Sequence, residues 1–296
     1  MDLLDEFAGR LSEKIGERIY DGLYPICSNI FDKIFVTLNA RIADSADMLG
    51  KSVEGWNAGA FNIVKAAAEN VCIPIAGGVI AFVFAWELAR MAQDNNLMQS
   101  VGPDRLIMTL VKLAVCLLVC INSFDIVIYI YSIGNWAVKK LSGSTITFGS
   151  GLTLDTVVPA VPDAYTLTAG FQLIGIFFAL CICLGLCWTS AIIIYFQVLS
   201  WFLEMVVFAS AAPIPFATFM NRDWGQTGMN YGKKTFSLGL RGFFMLLFIA
   251  IYGGIMNNLP GSSFMEVLTM LCGGSVAICG ALWKAGNIAD SILNAH

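Results

Sequence analysis

The sequence predicts an all-α polytopic membrane protein with about five transmembrane helices, long helices extending beyond the bilayer, and amphipathic helices at the N-terminus. Two observations carry that class. The 296 residues are 57% hydrophobic and 13% charged, with a mean hydropathy of +0.74, whereas soluble domains are about 25% charged. Ala164 through Leu203 also contains no Asp, Glu, Lys or Arg, and a crossing needs only about 20 apolar residues. The start, MDLLDEFAGRLSEKIGERIY, is charged throughout and lacks the basic-then-apolar order of a cleavable signal. The net charge of −4 says little about partners, because lipid covers much of the surface.

Residues 1–70 read as amphipathic extracytoplasmic helices. Leu4, Phe7, Leu11, Ile15, Ile19 and Leu23 recur at spacings of three and four, opposite Arg10, Glu13, Lys14, Glu17 and Arg18. A second stripe follows at Ile30, Phe31, Ile34, Phe35, Leu38 and Ile42. Neither is long and clean enough to span, so both should lie on the membrane or form a collar.

Residues 71–141 hold the first two spans. Val71–Ala89 is one, with Pro74 near its start. The other runs from near Arg105 to Leu141, longer than one crossing needs. Its Lys112, Asn122 and Asp125 are costly in lipid and should face protein or water. The 142–168 segment is rich in Ser, Thr, Gly and Pro and has no Lys or Arg. It reads as a long extracytoplasmic loop in which Asp155 and Asp163 are solvated. Residues 169–220 form a long third span that ends in a turn broken by Pro213 and Pro215. A basic loop, 221–234, then leads to the last two spans and a short tail over 235–296, with spans at Phe236–Met256 and Phe264–Trp283.

Charge bias sets the topology. Arg222, Lys233 and Lys234 make the 221–234 loop cytoplasmic by the positive-inside bias, and the Lys-free 142–168 loop lies outside. An odd number of crossings must separate them, so 169–220 is one crossing plus a re-entrant or interfacial turn, tolerated where protein or a water-filled cavity covers the backbone. The 92–104 loop is then cytoplasmic, the N-terminus outside and the C-terminus inside. Lys139 and Lys140 fit this poorly, being near the outer interface.

Few residues invite chemistry. Glu204 either marks the interface or is a pore-lining or helix-pairing carboxylate neutralised by Arg241 or Lys112. Arg241 either snorkels or takes that partnership. The pairs Gly77–Gly78, Gly253–Gly254 and Gly273–Gly274 read as packing surfaces. Cys27, Cys72, Cys116, Cys120, Cys181, Cys183, Cys187, Cys272 and Cys279 lie mostly in apolar runs and read as small packing residues. The only histidine is His296, so neither metal nor cofactor is expected. No GxSxG, HExxH or phosphate-cradling loop is present, which argues against an enzyme. Two similar halves with interrupted helices, as in secondary transporters, are also missing.

The run Glu204…AAPIPFATFMNRDWGQTGMNYGKKTFSLGLRGFF resembles the TrbL-type conjugal transfer proteins of Gram-positive mobile elements, which belong with the polytopic inner-membrane subunit of type IV secretion systems. The likeness extends to EGWNAGAFNIV (Glu54–Val64), PIAGGVIAFVFAWEL (Pro74–Leu88) and WKAGNIADSILNAH (Trp283–His296). Arg241 stands where many relatives are expected to be uncharged. The resemblance implies a non-enzymatic subunit of the conduit for DNA–protein substrates, in the bacterial cytoplasmic membrane. By analogy it forms a ring-shaped homo-oligomer, a pentamer being the analogous form, in contact with lipids, other secretion subunits and the transferred DNA–protein substrate. Cytoplasmic ATPases of the same machine supply the energy, and the Arg222–Lys234 loop is the expected docking point for one. Candidate pore, packing or docking residues are thus Lys112, Asp125, Glu204, Pro213, Pro215, Arg222, Trp224, Lys233, Lys234 and Arg241. A small-solute transporter or permease subunit is the second reading, distinguished by uptake into liposomes, and a membrane scaffold without a conduit is the third.

Overall fold

The computed structural model describes residues 2–95, 103–142, 152–158, 167–221, 224–258 and 263–294. Among them every regular element is a helix. Helix α1 (Asp2–Gly50) is uninterrupted over 49 residues, roughly 74 Å at 1.5 Å per residue. The two expected stripes therefore lie on one helix. Pro25 sits inside it on an exposed face, so the carbonyl its missing N–H leaves free can meet solvent. The chain covers only the second stripe: Phe31, Ile34, Leu38 and Ile42 are at most 2% exposed, whereas Phe7, Leu11 and Ile15 are 67, 50 and 42% exposed.

Two capped turns follow. Ser52 Oγ accepts the Gly55 N–H at the start of α2 (Val53–Trp56), and Asn57 Oδ1 accepts the Ala60 N–H at the start of α3 (Ala58–Ala67). From α3 the chain continues through a π-helical turn, Ala68–Cys72, into α4 (Ile73–Asn95). The wide turn includes Asn70, whose carbonyl the Pro74 ring would strike in a regular α-helix, and so lets the proline stay inside the helix. One continuous helical stretch, Ala58–Gln93 of 36 residues, is long and apolar enough to cross a membrane and extends beyond the expected Val71–Ala89 at both ends.

The second expected span is not one straight helix. α5 (Pro103–Ile121) and α6 (Ser123–Ser142) meet at Asn122 with a bend of 62°. At the break, Asn122 Nδ2 donates to the Leu118 carbonyl and Ser123 Oγ to the Cys120 carbonyl, each at 2.8 Å. Side chains that compete for backbone carbonyls bend a helix in this way.

A turn, α7 (Leu154–Val157), lies within the 142–168 segment. α8 (Leu167–Ala211) is 45 residues long, about 68 Å and twice what the hydrocarbon layer requires. Then come α9 (Pro213–Phe216), a 3-10 turn (Ala217–Met220), α10 (Gly225–Asn257) and α11 (Phe264–Leu293). The expected 221–234 loop is thus helical from Gly225 on. Its glycines look loop-like in sequence, but Asn221 caps the helix, its carbonyl accepting the Gly225 N–H at 2.8 Å and its Oδ1 the Trp224 N–H at 3.2 Å. Among the described residues four helices are long and apolar enough to cross a membrane, and the bent α5–α6 pair makes five if it is one span. The chain is an all-α polytopic membrane protein.

The chain divides into two compact units, and α1, α6 (through Ser142 alone), α8, α10 and α11 contribute to both. The first comprises 1–47, 142–197 and 246–283. In it Cys187 Sγ donates to the Leu271 carbonyl, Cys279 Sγ to the Ser190 carbonyl and Gln197 Nε2 to the Cys279 carbonyl, lacing α8 to α11. Leu152, Leu154 and Val157 are buried, and the Tyr24 hydroxyl of α1 donates to the Asp155 carboxylate. Asp155 is exposed, as its expected solvation requires, but it is also tethered by that bond; Asp163 lies outside the described residues. The second unit comprises 48–141, 198–245 and 284–296 and holds the site described next.

Candidate functional site, a proline-broken segment between two helices

α8 ends because the chain reaches two prolines that cannot donate backbone hydrogen bonds. Pro213 opens α9, and the short helix tightens into the 3-10 turn, whose Thr218 Oγ1 donates to the Pro215 carbonyl at 2.7 Å. Ala212, Pro213, Phe216 and Ala217 are buried, because this segment packs against both α4 and α5. Buried irregular backbone favours additional donors to its carbonyls. Cys120 Sγ donates to the Pro213 carbonyl at 3.5 Å, and Cys116 Sγ to the Phe216 and Ala217 carbonyls at 3.6 Å. Their four-residue spacing puts both thiols on one face of α5.

α10 completes the cradle. The Tyr231 hydroxyl donates to the Phe208 carbonyl, which would otherwise pair with the amide four residues on, at the break. The Tyr231 ring stacks on Phe208 at 5.4 Å and meets Phe216 edge-on at 5.5 Å. A Cβ on Gly228 would come within 2.8 Å of the Pro215 carbonyl oxygen, so only glycine lets α10 approach this closely. Trp224 stacks on Phe82 of α4, with ring centroids 5.8 Å apart.

Beside the segment lies a cavity of about 650 Å³ lined by Glu87, Val111, Lys112, Val115, Cys116, Val119, Phe219 and Asn221. Glu87 Oε2 is buried there without a hydrogen-bond partner among the described residues.

Two ionic contacts link the helices of this unit. Arg241 Nη1 donates to Glu204 Oε2 at 2.8 Å, with side-chain exposures of 20% and 38%. A Cβ on Gly286 would sit 3.2 Å from the same guanidinium, so α11 has a glycine where the arginine passes. Lys234 Nζ meets Asp290 Oδ2 at 2.5 Å, and Ser237 Oγ donates to Asp290 Oδ1 at 2.6 Å. Of the two partners considered for Glu204, the structure brings Arg241 to it and puts Lys112 on the cavity. Lys234, expected on a free basic loop, is bound to α11. Lys233 is half-buried and Asp125 is exposed, uncovered by this chain; Arg222 lies outside the described residues. Among the described residues no cluster of three or more His, Cys, Asp or Glu side chains could hold a metal ion.

Sequence reasoning missed Cys116, Cys120, Tyr231, Glu87 and Asp290. The four-residue spacing of the two cysteines on a helix facing a predicted break was the available signal. Nothing local marked the others, because their partners are distant in the chain.

A family model described as TrbL/VirB6 plasmid conjugal transfer like protein matches residues 38–213, more than half of the chain. The match contains the Glu54–Val64 and Pro74–Leu88 motifs and ends at the first proline of the break, so MNRDWG and the C-terminal motif fall beyond it. No curated protein and no solved structure matches the chain. The chain belongs to the TrbL/VirB6 family of plasmid conjugal transfer proteins.

Proposed function

We propose that this chain is a membrane component of a conjugative type IV secretion system and that its helices help to form the conduit for DNA–protein transfer. The observation that carries the reading, beyond family membership, is the proline-broken segment held between α4 and α5 beside a cavity. Irregular backbone within a bundle of spans is tolerated where protein or a water-filled space covers it, and such segments are where a conduit can be shaped or gated. Copies assemble as a ring, a pentamer by analogy, with the N-terminus outside and the C-terminus cytoplasmic, as the charge bias of the 142–168 and 221–234 segments supports. Cytoplasmic ATPase docking falls to Arg222 and Lys233, since Lys234 is engaged by Asp290.

Plasmid transfer from donor cells complemented with variants tests this reading. Replacing Arg222 and Lys233 together by Ala should cut transfer without loss of membrane insertion, and unchanged transfer sinks the docking assignment. Cryo-EM of the detergent-extracted chain should reveal a closed ring; a monodisperse monomer that catalyses solute uptake in liposomes would favour the permease reading instead.

A further inference from the structure

The cavity beside the broken segment keeps two opposite charges apart. Glu87 Oε2 is buried and has no partner, and Lys112 makes no ion pair among the described residues, although both line the same space. A buried carboxylate oxygen without a donor is costly, so the site is incomplete as the chain alone builds it. A ligand that completes it must offer a donor to Glu87 and an acceptor to Lys112. Apart from Cys116 and Asn221 the rest of the lining is apolar: Val111, Val115 and Val119 follow one another at four-residue spacing along α5, a strip of roughly 12 Å, and Phe219 also lines the cavity.

We propose that this cavity holds the headgroup of a zwitterionic aminophospholipid of the phosphatidylethanolamine class. Its primary ammonium donates to Glu87, its phosphate meets Lys112, and its first acyl carbons lie along Val115 and Val119. Charge complementarity selects the class. An anionic headgroup satisfies Lys112 but sets a negative charge against Glu87. A choline headgroup carries the right charges, yet its quaternary nitrogen has no proton to donate to Oε2. A soluble zwitterion leaves the valine strip uncovered, and α4 belongs to a helix long and apolar enough to cross a membrane, where lipid is the abundant ligand.

Native mass spectrometry of the detergent-extracted full chain tests this, using phosphatidylethanolamine, phosphatidylcholine and phosphatidylglycerol with the same acyl chains. The wild type should retain the ethanolamine lipid about tenfold better than either other lipid, the value of one charge-assisted hydrogen bond. Glu87→Gln should lower that to the choline level, and Val119→Phe should weaken all three lipids. Millimolar glycerophosphoethanolamine should not displace the lipid. Equal retention of the three lipids by the wild type overturns the proposal, as does an ethanolamine preference that survives Glu87→Gln. Displacement by the soluble headgroup overturns the assignment to a lipid. Should the Glu87 variant fail to fold, the wild-type comparison of the three lipids decides the matter by itself.

Discussion

At the scale of single residues, the chemistry of this protein is that of charges held where lipid or protein would otherwise exclude them. Glu204 and Arg241 lie in apolar runs of α8 and α10 and are tolerable because each neutralises the other at 2.8 Å. Removing one partner leaves the other charged in a half-buried site, so Glu204→Gln should destabilise the detergent-solubilised protein by roughly 1–3 kcal/mol. Because Glu204 is 38% exposed, a thermal-melt cost near the lower end is expected, and a neutral result would show the pair to be dispensable. Tyr24 offers a pH handle outside the spans. Burial first, and then its hydrogen bond to Asp155, raises the phenol above its ordinary value of 10.0. A raised pKa means that the folded state favours the protonated phenol. Its contribution is therefore full below about pH 10 and lost as pH climbs through the folded-state value. Melting the wild type and Tyr24→Phe across alkaline pH should show a decline in the wild type that the variant lacks.

At the scale of elements, the break after α8 governs the arrangement of its neighbours. Thiols of α5 donate to the carbonyls of Pro213, Phe216 and Ala217, the first of which also accepts the Ala217 N–H, and the Tyr231 hydroxyl of α10 donates to that of Phe208. Cys116→Ala and Cys120→Ala should each cost about 0.5–1 kcal/mol in melts, with partial recovery in the Ser variants that retain a donor; equal losses for Ala and Ser would assign the effect to packing. Helices α6 and α10 approach so closely that a Cβ on Gly134 would collide with the Gly239 carbonyl. Gly134→Val must push backbone apart, since no flexible side chain can yield, and should cost about 1–3 kcal/mol or more, read as reduced yield and melting temperature. Gly77, Gly78 and Gly273, by contrast, have open space at their Cβ positions, so alanine there should be nearly silent within the isolated chain. The expected packing role thus finds no neighbour at Gly77–Gly78, but it holds at Gly274, where a Cβ would collide with the Tyr252 ring.

At the scale of the whole molecule, the long apolar helices leave much of their surface uncovered. Trp188, Phe196, Val207 and Trp283 are all more than half exposed, as expected for a surface that meets lipid or other subunits. The apolar stripe at the start of α1, with Phe7 67% exposed, is likewise left without a cover. Replacing Phe7 and Leu11 together by Ser should leave the stability read from melts within about 0.5 kcal/mol of wild type while reducing transfer, if this stripe docks on membrane or on a second copy; a large loss of stability would instead mean that it is buried.

Composition and periodicity determined the class, because the free energy of placing a side chain in lipid is a property of that side chain alone and sums along a run. The same arithmetic made the long α8 legible, as well as the stop at Pro213 and Pro215. It could not separate a straight helix from one bent at Asn122, or a glycine-rich loop from the start of α10, since both turn on small local differences that neighbouring helices decide. The partner of Glu204, the tether on Lys234 and the donors for the broken segment likewise came only from tertiary structure. Each joins residues distant in sequence, and a pairing energy depends on where the fold puts the second group.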